Sequence, residues 1–268
     1  MKKYENIYIY TDVDGTISDW NYKVPEVNLE ALKYFTENGG HFGIATGRGK
    51  RGVEELAASP YINMPVILGN GAVVTYLNEE EPLSCEFLPK KAREVALEMR
   101  DKFPNIAIYC WGVRERYDMS DKVYCKREDK FSFTIPAPIE KVTEKWTRLL
   151  FYTEPEQKEE MTAYIKKLSK DELEMTTSGK SCIGLMAKGV NKGKALKDII
   201  NKFGIEKKKL YVLGDFDNDL PMLSLEGVNS FCPSTAEDCV KETVNEVLCS
   251  VEEGILPLVL KKIDENLK

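Results

Sequence analysis

The sequence has only one histidine and lacks a long apolar run, and both features narrow the classes of protein to which it can belong. No stretch approaches the roughly 18 consecutive apolar residues that a membrane-spanning helix needs, so we expect no membrane insertion. Residues 1–6 include lysines, but no apolar segment of signal-peptide length follows them, so we expect no secretion either. The histidine, His41, precedes a predicted strand and lies far from the polar motifs described below, which favours a structural role.

Paired cysteines and excess positive charge are also missing. The seven cysteines are scattered without a Cys-x-x-Cys motif, and their odd number suits neither a disulfide framework nor a zinc cluster. We therefore expect reduced thiols and a cytoplasmic protein. The net charge of −6 argues against a general nucleic-acid surface, which needs clustered lysine and arginine. An anionic substrate would have to meet local positive charge or a metal ion.

The most informative segment is the apolar run at residues 7–10, which is followed by Thr11-Asp12-Val13-Asp14-Gly15-Thr16. Alternating isoleucine and tyrosine are typical of a strand. Two carboxylates at positions i and i+2 would repel each other in a packed core unless a cation or a proton transfer needs them. The glycine that follows allows a sharp turn. The pattern predicts a buried strand that ends in a reactive site.

The next segments alternate between helix and strand. A helix is predicted to begin near Pro25 and to stop at residues 38–40, and a second helix is predicted from about residue 50 to 58. Predicted strands at 42–45 and 66–68 end in Thr46-Gly47-Arg48 and Gly69-Asn70-Gly71-Ala72. This order is typical of a parallel sheet, which binds ligands outside the carboxyl ends of its strands.

A charged break at Glu79-Glu80-Glu81-Pro82 marks a change of pattern. Two helices, near 92–103 and 156–168, and several short strands are predicted before the strand-and-helix pattern resumes. We predict a domain at 83–187 inserted into a core formed by 1–82 and 188–268. The fold class is α/β, with a Rossmann-like three-layer parallel sheet as the core and an α+β insertion.

In the last part of the chain, Lys192 precedes a helix with apolar residues on one face and Gly204 at its end. A buried strand at 210–213 then ends in Gly214-Asp215-Phe216-Asp217-Asn218-Asp219. A further strand near 228–232 and a helix at about 252–267 complete the predicted core.

The polar groups at these strand ends suit phosphoryl transfer. A carboxylate can attack phosphorus and form an aspartyl-phosphate, which splits a difficult hydrolysis into two steps. A second carboxyl can donate a proton to the leaving oxygen and then activate water. Since the phosphate and the attacking carboxylate are both anions, a divalent cation is needed, and Mg²⁺ prefers such oxygen ligands. A lysine and a hydroxyl can hold the remaining phosphate oxygens.

These motifs, in this order, resemble those of the haloacid dehalogenase (HAD) superfamily of phosphohydrolases, and the inserted domain with Gly-Asp-x-x-Asn-Asp resembles its Cof-type subfamily. The resemblance implies that Asp12 is the nucleophile and a ligand of Mg²⁺. Asp14 would be the general acid and base and would give its backbone carbonyl to the metal, and Asp215 would complete the metal site. Val13 stands where leucine is common, which is a conservative change.

The resemblance also implies a set of residues around the phosphate. Thr46 and Gly47 would hydrogen-bond it, Lys192 would neutralise it, and Asn218 would lie in its environment. Asp219 would orient Lys192 or support the metal site. The inserted domain would be a cap that selects the substrate.

Substrate contacts are a separate prediction. Arg48, which adjoins Thr46, is a candidate, and so are Asn70 and Lys180. Each motif taken alone also fits an ordinary structural role, such as a turn, a solvated lysine or a capped helix start.

The predicted function is a magnesium-dependent phosphatase that acts on small phosphorylated metabolites, with sugar phosphates favoured by the resemblance. A phosphomutase of the phosphomannomutase kind is the alternative among enzymes, and a non-catalytic metabolite-binding or regulatory protein is the alternative from another class. We expect no nucleic-acid or membrane partner. The physiological substrate and the oligomeric state stay open at this stage.

Overall fold

The computed structural model describes residues 2–19, 21, 23–103, 105–113, 115–120, 134–169, 171–178 and 181–267. The chain forms two compact units, one from Met1–Leu83 with Asn191–Lys268 and the other from Ser84–Val190. The second unit is therefore an insertion in the first. It begins at residue 84 and ends at 190, where the sequence patterns predicted 83 and 187.

Strands occur in both units. In chain order they are β1 (Tyr8–Thr11), β2 (His41–Ile44), β3 (Val66–Leu68), β4 (Val73–Thr75), β5 (Ser84–Cys85), β6 (Ala107–Trp111), β7 (Arg116–Asp118), β8 (Ile135–Pro136), β9 (Arg148–Tyr152), β10 (Leu173–Ser178), β11 (Cys182–Ala187), β12 (Leu210–Leu213), β13 (Asn229–Cys232) and β14 (Glu246–Val247).

The helices connect and cover these strands. They are α1 (Glu26–Glu37), α2 (Lys50–Glu54), α3 (Lys91–Lys102), α4 (Lys158–Ser169), α5 (Lys192–Phe203), α6 (Leu220–Leu223), α7 (Asp238–Lys241) and α8 (Leu256–Asn266). Among the described residues, none of these helices combines the length and the apolarity that a membrane crossing requires.

The first unit is built on a parallel sheet with the strand order β14-β13-β12-β1-β2. Its central strand, β1, pairs in parallel register with β12 on one side and with β2 on the other. Tyr10 and Val212 pack on one face of the sheet against apolar residues of α5. Side chains at neighbouring strand positions point to the opposite face of the sheet. On that face, the Tyr211 hydroxyl accepts a hydrogen bond from Asn266 of α8. The predicted three-layer α/β core is confirmed.

The strand β3 differs from its predicted place in the parallel sheet. It pairs antiparallel with β4, with Ile67 opposite Val74, and it meets the chain after β2 through one parallel bridge between Ala45 and Ile67. The Thr46 amide donates a hydrogen bond to the Ile67 carbonyl at 2.8 Å. The end of β3 consequently stays beside the segment that follows β2, as the sequence analysis required.

Two helices are shorter than their sequence patterns predicted. The helix α2 ends at Glu54 instead of near residue 58, and α8 begins at Leu256 instead of near 252. Gly254 has a φ of 87°, which is outside the helical region, and Pro257 occupies the first turn of α8, where a missing amide hydrogen costs nothing. These backbone features set the start of α8, whereas the apolar spacing alone could not.

The inserted unit contains a sheet with the order β10-β11-β9-β6-β7-β8. The strands β6, β9 and β11 are antiparallel neighbours. One face of this sheet, which includes Ile108, Cys110, Leu149 and Phe151, packs with buried residues of α3 and α4. Because side chains alternate along a strand, the residues between these positions lie on the opposite face.

The close packing of α5 against Pro221 allows a test of the first unit. A Cβ atom at Gly193 would lie 2.0 Å from the Pro221 carbonyl oxygen, so we expect Gly193→Ala to lower the free energy of unfolding by roughly 2–3 kcal/mol through overpacking. Urea denaturation measures this change. The control is Gly52→Ala, whose Cβ would make only ordinary contacts of 3.5 Å with Arg48, so its expected loss is below about 0.5 kcal/mol. Equal stabilities of the two variants would contradict the packing described here.

Candidate active site

The chain leaves β1 at Thr11 and places two carboxylates just beyond the sheet. The Asp12 amide still donates to the Leu213 carbonyl at 2.9 Å, so Asp12 continues the register of β1 with β12. The amides of Thr16, Ile17 and Ser18 then donate to the Val13 carbonyl, which forms a tight turn. Gly15 has a φ of 85° in this turn, a conformation that a residue with a Cβ adopts only at a cost.

A buried lysine joins two of the carboxylates. Lys192 is the first residue of α5, and its Nζ lies 2.6 Å from Asp12 Oδ1 and 2.7 Å from Asp219 Oδ1. Its side chain and that of Asp219 are fully buried. The start of α5 is fixed by Asn191, whose side chain accepts a hydrogen bond from the Lys194 amide at 2.8 Å, as an N-cap residue does.

The loop after β12 holds the remaining carboxylates. Asp219 Oδ2 accepts hydrogen bonds from the amides of Asp215 and Phe216, at 2.9 and 3.1 Å. Asp215 in turn accepts a hydrogen bond from the Thr16 hydroxyl at 2.7 Å. A side chain at Gly214 would clash, because a Cβ there would lie 2.5 Å from Asp219 Cβ. The glycine at the end of β12 therefore lets Asp219 fold back beneath the loop.

Negative charge exceeds positive charge within this cluster. Burial, and then the neighbouring carboxylates, raise the pKa of Asp12 well above its usual range, although Lys192 opposes them. Burial and the charge of Asp219 raise the pKa of Asp215 to about 7. Burial acts to lower the pKa of Lys192, but the charges of Asp12 and Asp219 and their hydrogen bonds outweigh burial and raise it, so the lysine is a cation. One lysine cannot neutralise three carboxylates.

The surplus charge suits a bound divalent cation. Asp12, Asp215 and Asp219 each offer a carboxylate oxygen, and these oxygens lie within 4.8 Å of one another. Such hard oxygen donors fit Mg²⁺. Both oxygens of Asp219 already accept hydrogen bonds, from Lys192 and from the loop amides, so Asp12 and Asp215 are better suited to be direct ligands. Asp219 has the contacts that orient Lys192.

Asp14 is held by an arginine that the sequence analysis considered as a substrate contact. Arg48 donates from Nε to Asp14 Oδ2 at 2.9 Å and from Nη2 to Asp14 Oδ1, and its Nη1 donates to the Gly52 carbonyl at 2.9 Å. Such a two-point contact fixes the plane of the carboxylate as well as its position. The Arg48 side chain is 7% exposed, and that of Asp14 is 26% exposed.

The segment after β2 lies at the same edge of the sheet. Thr11 and Ile44, the last residues of β1 and β2, are register partners, so Asp12 and Thr46 both follow the carboxyl ends of neighbouring strands. The Thr46 hydroxyl accepts a hydrogen bond from the Arg48 amide at 3.1 Å. Gly47 lies between these two residues in the same turn.

The two asparagines of the predicted site lie side by side. Asn218 donates from Nδ2 to Asn70 Oδ1 at 3.1 Å. Asn70 has a φ of 59° and lies between Gly69 and Gly71, which also have positive φ values. A Cβ at Gly71 would lie 2.4 Å from the Asn191 carbonyl oxygen, so this turn packs directly against the start of α5.

The structure thus connects most of the predicted residues through named contacts, with some exceptions. Lys180 lies outside the described residues. His41 begins β2, and its ring stacks on Tyr8 with a centroid distance of 4.6 Å. Thr16, whose hydroxyl donates to Asp215, had no predicted role, although its place directly after Asp12-Val13-Asp14-Gly15 was a usable signal. The spacing of residues in the sequence does not predict the pairing of Arg48 with Asp14.

A comparison with known families decides the broad class. Residues 9–257 match the model of the family described as haloacid dehalogenase-like hydrolase. The chain belongs to this family. The resemblance to Cof-type HAD hydrolases is thereby confirmed, and so is the prediction that the protein is an enzyme of the phosphatase class, which is also the class of the relatives named next.

Individual relatives of this HAD protein match it over nearly its whole length. One is the 5-amino-6-(5-phospho-D-ribitylamino)uracil phosphatase YcsE of Bacillus subtilis, which is 24% identical over 255 residues, 92% of each chain. A phosphoglycolate phosphatase of Methanopyrus kandleri is 26% identical over 261 residues, 96% of this chain and 97% of its own. Among solved structures, the HAD subclass IIB sugar phosphatase BT4131 superposes with a TM-score of 0.79 at 21% identity, covering 96% of this chain and 99% of its own. The last likeness concerns the fold.

The pKa of Asp215 gives a prediction for stability. In chelator, the free energy of unfolding of the wild type should fall as pH rises from about 4 to about 7. The reason is that the carboxyl keeps its proton up to a pKa of about 7 in the folded protein, against 3.8 ordinarily, so the stability that this proton provides is lost across that window. Asp215→Asn cannot ionise and should lack this component. Urea denaturation at pH 4.5 and 7.5 measures both proteins.

The same pair of proteins tests the metal site. Adding Mg²⁺ at pH 7.5 should stabilise the wild type and should stabilise Asp215→Asn much less, because the variant lacks one of the three carboxylates that could hold the ion. Equal responses of the two proteins to pH and to Mg²⁺ would contradict the surplus of negative charge described here.

Proposed function

We propose that this HAD hydrolase is a magnesium-dependent phosphatase that hydrolyses small phosphorylated metabolites through an aspartyl-phosphate on Asp12. The observation that supports this most is the Lys192 bridge, which holds a buried Asp12 carboxylate at the edge of the sheet with Asp215 beside it. A buried lysine ammonium can neutralise a phosphate oxygen and fix the attacking carboxylate at once. Sugar phosphates are the favoured substrate class, and the likeness to a sugar phosphatase supports this choice.

In the proposed reaction, a carboxylate oxygen of Asp12 attacks phosphorus, and the bond between phosphorus and the leaving oxygen breaks. Asp14 gives its proton to that leaving oxygen, so the product leaves as an alcohol. Asp14, now a carboxylate, then takes a proton from water as the water oxygen attacks the same phosphorus. Inorganic phosphate departs, and Asp12 is restored as a carboxylate.

The Arg48 contact has a definite place in this cycle. The two-point ion pair binds the charged carboxylate of Asp14, which is the form that takes a proton from water. Proton donation requires the neutral form, which no longer makes a charge pair with Arg48. We therefore propose that Arg48 positions Asp14 for the second step and that their contact weakens in the first.

The metal ion would be held by Asp12, Asp215 and the backbone carbonyl of Asp14. Its chemistry when bound is to screen the repulsion between the phosphate and the attacking carboxylate. Lys192, the Thr46 hydroxyl, Gly47 and Asn218 would hold the phosphate oxygens. Asp219, which accepts from Lys192 and from two loop amides, would keep the lysine in place.

The inserted unit is proposed to act as the cap that selects the leaving group. This assignment is supported by its separate fold and by its position in the sequence between Thr46 and Lys192. A cytoplasmic location, in agreement with the scattered cysteines, is part of the same proposal.

The nucleophile is tested by Asp12→Asn. Loss of the attacking oxygen should lower kcat at least about a thousandfold toward a panel of sugar phosphates, measured as inorganic phosphate release in Mg²⁺. The matched control is Asp217→Asn, which removes an exposed carboxylate of the loop after β12 and should leave kcat within about threefold. Undiminished activity of Asp12→Asn would contradict the mechanism, and so would a wild type that is inactive toward the whole panel.

The same assay separates the alternatives. A phosphomutase would exchange phosphate between positions of a sugar without releasing it, so isomer exchange without free phosphate would replace the hydrolase proposal. Full phosphatase activity in EDTA would contradict the proposed requirement for a metal ion.

The role of Arg48 is tested by Arg48→Gln. If the arginine positions Asp14, kcat should fall about tenfold to a hundredfold with little change in KM, because the effect acts on proton transfer. If Arg48 instead binds substrate directly, KM should rise while kcat is kept. The control is Arg51→Gln, which removes an exposed arginine of α2 and should change neither constant.

A further inference from the structure

A short turn that the proposed reaction does not use contacts three segments of the candidate site. It consists of Gly69, Asn70 and Gly71 and follows β3. The three residues have positive φ values, of 57°, 59° and 109°. Glycine adopts this conformation freely, whereas a residue with a Cβ adopts it at a cost, which asparagine tolerates better than most. The Asn70 side chain therefore lies where the backbone favours glycine, which indicates that the side chain itself has a role.

The backbone of this turn is fixed from two sides. On one side, the Asn70 amide donates a hydrogen bond to the Thr46 carbonyl at 2.9 Å. On the other side, a Cβ at Gly71 would lie 2.4 Å from the Asn191 carbonyl oxygen, so the turn meets the start of α5 without a gap. The turn consequently has little freedom to move relative to the segment after β2 or to α5.

The Asn70 side chain reaches the third segment, which is the loop after β12. Asn70 is 5% exposed, and its Oδ1 accepts a hydrogen bond from Asn218 Nδ2 at 3.1 Å. Within the described part of the chain, this is the only hydrogen bond that either side-chain amide forms. The direction in which the Asn218 amide faces is therefore set by Asn70. Both residues belong to the first unit.

The direction of an amide decides which ligands it can bind. One end of an asparagine side chain carries two N–H donors and the other end is an acceptor, and the torsion that exchanges the two ends is soft. The ionised oxygens of a phosphate accept hydrogen bonds, so they need the N–H end. Asn70 Oδ1 takes one N–H of Asn218 and holds that end in place, which leaves the second N–H for another acceptor.

We propose that Asn70 is a positioning residue for phosphate binding and that it acts through Asn218. Its side-chain oxygen holds the Asn218 amide with an N–H directed to the phosphate oxygens, and the fixed backbone of the turn keeps that oxygen in place. Without Asn70, the Asn218 amide would turn and would present its oxygen to the anion as well as its N–H. The inference rests on the proposed function in one respect, which is that Asn218 binds the phosphate.

The variant Asn70→Gly removes this contact and keeps the turn, because glycine favours the φ of 59°. Inorganic phosphate is titrated calorimetrically into the full-length protein in saturating Mg²⁺. We expect the dissociation constant to rise about threefold to tenfold in Asn70→Gly and about tenfold in Asn218→Ala, since each variant misdirects or removes one hydrogen bond to the anion. The control is Asn78→Gly, which makes the same change in an exposed turn after β4 and should leave the dissociation constant unchanged.

The double variant distinguishes positioning from a general structural effect. If Asn70 acts through Asn218, Asn70→Gly has no further effect once residue 218 is alanine, so the double variant should bind phosphate within about twofold of Asn218→Ala. If Asn70 instead supports the fold of the site or contacts the phosphate itself, the two effects should multiply. Circular dichroism and the urea midpoint establish whether each variant is folded.

The outcomes separate this inference from the proposed function. Multiplied effects, an unchanged dissociation constant or a loss of the folded state in Asn70→Gly, or a wild type that binds no phosphate would each overturn the inference. Any of these results with a wild type that releases phosphate from a sugar phosphate would leave the phosphatase proposal standing. Coupled effects on phosphate binding, in a protein that hydrolyses no substrate, would support the positioning role of Asn70 and overturn the phosphatase proposal.

Discussion

The arrangement of the active site depends on one buried ammonium group. Lys192 has no exposed surface, and its Nζ lies within hydrogen-bond distance of both Asp12 and Asp219. Burying a charge is costly unless partners compensate it, so the lysine is stable here only because two carboxylates meet it. The carboxylates outnumber the lysine, and burial, with the neighbouring carboxylates, raises the pKa values of Asp12 and Asp215. A divalent cation at this place would compensate the charge that the lysine leaves. The excess of carboxylates over lysine therefore explains both why Lys192 is stable when buried and why the site suits a divalent cation.

The parallel sheet of the first unit brings these groups together. Asp12 follows β1, Asp215 follows β12, and the two strands are paired in register up to their last residues. Lys192 reaches them because α5 packs closely against Pro221 and against the turn at Gly71, two contacts that leave no room for a Cβ atom at Gly193 or Gly71. The family match over residues 9–257 agrees with this arrangement, because it covers the segments before and after the insertion.

The sequence predicted the elements of the fold better than the contacts between side chains. Strands ending in polar residues identified the carboxyl edge of the sheet and its ligand groups, because neighbouring acids directly after an apolar strand repel each other unless a cation or a proton transfer needs them. The start of α8 was not predicted correctly, because Gly254 and Pro257 set it through backbone geometry. The Arg48–Asp14 ion pair was not predicted, because it depends on the direction of the Arg48 side chain after a turn.

The central claim is that Asp12 itself receives the phosphoryl group. It is tested most directly by stopping the reaction with acid within the first turnover, digesting the protein, and measuring the mass of the peptide that contains Asp12 and Asp14. The account predicts that this peptide carries one phosphoryl group, located at Asp12 by fragmentation, and that the same peptide from Asp12→Asn carries none. Rapid phosphate release with an unmodified peptide throughout the first turnover, or a phosphoryl group located elsewhere in the chain, would contradict it.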